Sequence, residues 1–199
     1  MPEGQNDENK DAVKNLKRFE IPLTKENVEK YIAVKNTIEN LKTNLNLDAI
    51  AKLKSQGYDI ENMSVWEVEA AVNDISKKSD SSSENEILKT FRAKDISYDE
   101  ARKIAKEIYG AEMGKDVLDS IKSLKKMGIE ISKTNIDNIH DIFSKLHNIK
   151  GIDNKTLVDA IKLDEDISID LLYKLKNYIQ NSAITSSGGS NVAYSSPSV

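Results

Sequence analysis

One helix-opening phrase occurs twice, and any fold for this chain has to accommodate both copies. Residues 23–42 read LTKENVEKYIAVKNTIENLK, and residues 131–150 read ISKTNIDNIHDIFSKLHNIK. Each copy places an apolar residue (Leu23, Ile131) before a hydroxyl (Thr24, Ser132), with Asn27 or Asn135 three residues further on. A hydroxyl in that place accepts a hydrogen bond from a free N–H of the first turn, and the preceding apolar residue can staple against the next turn. The apolar positions then coincide at a constant offset: Val28, Tyr31, Val34, Ile38 and Leu41 against Ile136, Ile139, Ile142, Leu146 and Ile149. Their spacing of three to four residues is that of a helix showing one stripe to a core. The match extends upstream, where Val13, Leu16, Phe19 and Ile21 correspond to Ile121, Leu124, Met127 and Ile129. A duplicated helical unit is the expectation.

A second, shorter pattern runs through the same chain. Ser64, Ser97 and Ser168 each follow an apolar residue, and positions +1, +4, +7 and +11 from each serine are apolar or aromatic throughout. Glu67 and Glu100 complete capping boxes at the first two. Strand-like alternation is absent, and the only proline away from the ends, Pro22, precedes a predicted helix rather than interrupting one. The expected fold is all-α: two related helical units with an additional helix pair between them, in an elongated arrangement of hairpins. The boundaries that follow are a disordered leader at 1–8, unit 1 at 9–76, a Ser-rich linker at 77–83, the connecting pair at 84–110, unit 2 at 111–182, and a disordered tail at 183–199.

Composition excludes several functions. Cysteine is absent, which removes thiol nucleophiles, thiolate metal sites and disulfides. The net charge of −4 argues against a chain that coats nucleic acid. The polar N-terminal stretch is not a signal peptide, and no apolar run reaches the ~18 residues of a membrane span. No phosphate-cradling glycine loop, nucleophile elbow or metalloprotease helix occurs. The expectation is therefore a non-enzyme with no cofactor.

The individual candidates read mainly as surface chemistry. His140 and His147 lie two turns apart, too far to share an ion, and Asp137, His140 and Asp141 read as exposed polar residues rather than metal ligands. Asp164, Glu165, Asp166 and Asp170 lack the glycine and terminal glutamate of a calcium loop and suit the start of the last helix. Lys122, Lys125 and Lys126, Lys17 with Arg18, and Lys77 with Lys78 are small basic faces without an aromatic platform for bases. Trp66 is the sole tryptophan. It falls off the apolar stripe that follows Ser64, and it is the candidate anchor for a partner contact.

The run Ile21–Pro22–Leu23–Thr24–Lys25–Glu26–Asn27–Val28, with its echo at 129–136, resembles a phrase in the N-terminal helical regions of clostridial flagellar hook-length-control-like proteins and related families of unknown function. The echo has Glu130 and Thr134 where the first copy has Pro22 and Glu26. The resemblance implies an all-helical protein-interaction role near flagellar assembly or export, in the cytoplasm with flagellar-type export open to it. It implies no functional residues, because the shared positions are those of a helix cap. The alternatives are a secreted or surface-associated helical module, or a regulatory nucleic-acid binder. The partner, the oligomeric state and the orientation of the two units are not specified by sequence.

Overall fold

The computed structural model describes residues 3–81, 95–163 and 166–187. Among them the regular structure is helical: α1 (Glu3–Arg18), α2 (Lys25–Asn44), α3 (Leu47–Ser55), α4 (Val65–Ser81), α5 (Tyr98–Tyr109), α6 (Lys115–Met127), α7 (Lys133–Ile149), α8 (Asn154–Leu163) and α9 (Ile169–Ser187).

The repeated phrase does the same job in both places. The Thr24 hydroxyl accepts from the Asn27 N–H at 3.1 Å, and the Ser132 hydroxyl accepts from the Asn135 N–H at 3.2 Å. Each asparagine then donates its side-chain amide to a backbone carbonyl five residues back, Asn27 to Pro22 and Asn135 to Glu130, both at 2.9 Å. That second bond explains why the asparagine recurs. It pins the incoming segment of chain to the first turn. The turn before each phrase also matches. The Ile21 N–H donates to the Leu16 carbonyl and the Ile129 N–H to the Leu124 carbonyl, each at 2.9 Å, closing α1 and α6. Such a turn needs a left-handed residue after the helix. In the second half it is Gly128 at φ 69°, whereas in the first it is Glu20 at φ 59°.

The serine caps form too. Ser64 and Ser97 exchange bonds with Glu67 and Glu100, and the Ser168 hydroxyl accepts from the Leu171 N–H at 3.1 Å. The stripes behind these serines are buried at Val65, Val68, Ala101, Ile169 and Leu172. Tyr98 departs from its stripe and is 39% exposed. Its hydroxyl donates to Asp119 at 2.5 Å while the Lys122 ammonium lies 5.0 Å from its ring centre.

Helix contacts correspond between halves. α1 packs on α2 as α6 packs on α7; α2 meets α4 as α7 meets α9; α3 meets α4 as α8 meets α9. The short third helix of each half also crosses over. α3 packs on α6 and α7, and α8 packs on α1 and α2. The buried side chains of both halves thus form one continuous cluster. The halves interlock through these crossings. Burying Ile50 and Leu53 of α3 contributes about 1.5–3 kcal/mol each. A polar contact to a charged group at the same joint, the Ser123 hydroxyl donating to Asp48 at 2.6 Å, contributes a comparable amount, about 1.5–3 kcal/mol. Apolar burial and this bond hold the joint together, and the directional bond sets its register. The connection is completed where Ser64 and Ser168, the two equivalent caps, pair as an antiparallel bridge: the Val65 N–H donates to the Ile167 carbonyl at 2.8 Å.

Three helices extend beyond the boundaries expected for them. Residues 3–8, expected as leader, are helical and run on into α1 without a break. Residues 77–81, expected as linker, continue α4, since KKSDS contains neither glycine nor proline. Residues 183–187 extend α9 up to the first tail glycine, Gly188. The remaining linker residues, the helix expected at 84–93 and the rest of the tail lie outside the described residues.

Candidate functional site

Trp66 follows directly from the cap at Ser64. Val65, Val68, Ala71, Val72 and Ile75 turn toward the core, which leaves the position after Val65 on the flank of α4. The indole is half-buried against the core edge and forms one wall of an open groove. The opposite wall is the first two turns of α2: Lys25, Glu26, Glu29, Lys30 and Ala33. Lys25 and Glu29 face each other one turn apart at 3.6 Å, and both are largely exposed.

The corresponding place in the second half is closed. There the position after Ile169 is Asp170 rather than tryptophan, and Asp141 stands where α2 has Ala33. The Lys145 ammonium joins them, at 2.9 Å from Asp141 and 3.4 Å from Asp170, and it also donates to Glu61 at 2.5 Å. Lys174 holds the other oxygen of Asp170 at 2.5 Å. Burial alone would depress the Lys145 pKa, but the bonds to Glu61 and Asp141 outweigh it and raise it. Asp170 is held below the usual carboxylate range by Lys174 and, further, by Lys145. The first-turn pair of α7, Lys133 and Asp137, is covered by the end of α5. The Tyr109 hydroxyl donates to Asp137 at 2.6 Å, and the Lys133 ammonium lies 5.6 Å from the Tyr109 ring centre. Burial first and the bond to Asp137 second push the Tyr109 pKa up.

Of the other sequence candidates, Lys122 and Lys126 line a cleft of about 350 Å³ between α3 and α6 together with Asp48, Asp95 and Asp119. Both ammoniums are engaged: Lys122 by Asp95 at 3.0 Å and by the Ile96 carbonyl, Lys126 by Asp48. Lys125 is exposed beside them, as are Lys17, Arg18 and Lys77 on their helices. Asp137 accepts from Tyr109 and Asp141 pairs with Lys145. His147 stacks at a tilt on Phe143, with ring centres 5.8 Å apart, and meets Lys150. Asp164 and Glu165 lie outside the described residues, while Asp166 is exposed. Among the described residues no three His, Asp or Glu side chains are grouped to hold a metal ion, and no helix is long and apolar enough to cross a membrane.

One feature had no sequence signal. Tyr31, 1% exposed, donates to Asn154 at 2.9 Å; Asn154 donates to Asn15 at 3.0 Å; and Asn15 donates to Asp11, which Lys35 holds at 2.7 Å. This chain of bonds ties α1, α2 and α8 together. Desolvation raises the Tyr31 pKa to about 12.

The model of a family of unknown function, DUF6240, matches residues 3–103, which is α1 to the first half of α5. The chain belongs to the DUF6240 family. The matched stretch contains the Trp66 groove and both of its walls, whereas the helices α6 to α9 lie beyond it. No curated protein and no solved structure matches the chain.

Proposed function

We propose that the chain is a non-enzymatic helical module that binds a protein partner through the groove beside Trp66. The observation that carries this reading is the contrast between the halves. Ion pairs and Tyr109 seal the location in one, whereas in the other the described residues form a groove around an indole. A half-buried tryptophan at the mouth of a groove supplies large contact area at small cost in side-chain entropy, which is the usual composition of an energetic anchor. The engagement of Lys122 and Lys126 by carboxylates supports a protein partner over nucleic acid. The test is affinity purification of the tagged chain from its native host with mass spectrometry, beside a Trp66→Ala variant. Partners that depend on Trp66, with unfolding of the variant still cooperative, support the reading. Partners retained in full by the variant refute it.

The narrower reading places the module in flagellar assembly or export. It rests on the phrase at residues 21–28, in which Pro22, Thr24 and Asn27 serve the start of α2. Recovery of hook or export components in the same purification would support it. We infer also that α1–α4 and α6–α9 descend from one duplicated unit, supported by the matching caps, closing turns and helix contacts.

A further inference from the structure

We propose that the Lys25–Glu29 pair beside Trp66 receives a tyrosine presented at the end of a partner's helix. The inference rests on the reading of Trp66 as an anchor and adds the chemistry of what the groove takes. The chain itself provides the precedent. Lys133 and Asp137 hold the first and fifth positions of α7, as Lys25 and Glu29 hold those of α2. On α7 that pair carries Tyr109, the last residue of α5, with the ring near the ammonium and the hydroxyl bonded to the carboxylate.

The complementarity is electrostatic in both parts. The negative face of an aromatic ring attracts an ammonium, and a phenol donates to an ionised acceptor more strongly than to a neutral one. At α2 the two charged groups hold the same positions but pair with each other at 3.6 Å, so an incoming phenol takes up the Glu29 carboxylate that Lys25 now faces, as Tyr109 takes up Asp137. The surroundings differ in the direction that favours an incoming ring. Ala33 and Trp66 replace the charged Asp141 and Asp170, which adds apolar surface to a groove that Glu26 and Lys30 also line. The face of α1 beneath is not apolar enough to seat a whole second α5. Asn9, Lys10 and Val13 take the places of the half-buried Val117 and the buried Leu118 and Ile121, on which α5 rests. The recognised element is therefore the tyrosine and the last turn that carries it.

The full chain, labelled with ¹⁵N, is titrated with N-acetyl-tyrosinamide and, separately, with N-acetyl-phenylalaninamide. The expected result is shifts at the Lys25 and Glu29 amides and the Trp66 indole, with the tyrosine compound binding about threefold more tightly, as one exposed charge-assisted bond allows. Glu29→Gln, a change on an exposed side chain, is expected to abolish that preference. Equal binding of the two compounds, with the indole still responding, overturns the tyrosine inference and leaves the anchor reading standing. No response at the indole or at the start of α2 also overturns the inference, and the anchor reading is then judged by the Trp66→Ala purification.

Discussion

Glu20 offers a direct measurement of how far the two halves obey the same local rules. It occupies the left-handed position that closes α1, at φ 59°, where the equivalent turn after α6 uses Gly128 at φ 69°. A residue with a Cβ pays about 1–2 kcal/mol in that conformation, and glycine does not. Glycine also gains freedom in the unfolded chain, which offsets about 0.4–1 kcal/mol of the relief. Glu20→Gly should therefore stabilise the protein by about 0.5–1 kcal/mol. For a chain of this size, 1 kcal/mol moves the midpoint by about 2–4 °C, so the expected rise in Tm is about 1–4 °C. The reciprocal change, Gly128→Glu, should lower stability by a similar amount. Urea melts monitored by circular dichroism give both values, and the slope with urea should be unchanged. If Glu20→Gly is neutral or destabilising while Gly128→Glu is tolerated, backbone strain does not decide this turn and the reasoning fails.

Three further outcomes follow from the polar joints. Asn15→Ala removes a 3%-exposed side chain that accepts from Asn154, and should cost about 1–3 kcal/mol in a urea melt. Lys145→Met leaves Glu61 and Asp170 without their shared cation. The cost should be about 1–3 kcal/mol, less than for a fully buried pair because solvent reaches the site, and adding Glu61→Gln should recover part of it. Tyr31 has a folded pKa near 12 against about 10 in the unfolded chain, so its contribution is complete below pH 10 and is lost as pH rises through 12; Tyr31→Phe should reduce the alkaline loss of stability in a pH series of thermal melts.

Helix starts and their faces were legible in the sequence because they are local. Thr24, Ser132 and Ser97 bond within three residues of themselves, so spacing alone reveals them. The place of Trp66 on the flank of α4 follows from the same count, since its distance from Ser64 puts it off the buried stripe. What periodicity cannot state is which face meets which. Ile50 and Leu53 read as one side of a short helix, and nothing in their spacing says that α6 and α7 of the other half will cover them. The bond between Asn15 and Asn154 spans 139 positions of chain and leaves no local pattern around either residue. The difference between the grooves depended on a comparison across halves, Ala33 with Asp141 and Trp66 with Asp170, that only the folded register justifies.

The crossing of the third helices bears on how the molecule is made. A chain emerging from the ribosome presents α1 and α2 long before α8, the element that closes over them, has been synthesised. Until then the apolar sides that α1 and α2 turn toward α8 face solvent. Contacts that wait for distant partners are slow to form and leave sticky intermediates exposed. Two nascent chains on neighbouring ribosomes would offer each other the surfaces that each lacks, α3 of one for α6 of the other. Yield during expression should then depend on how far apart the ribosomes are spaced and on how quickly the last helices follow.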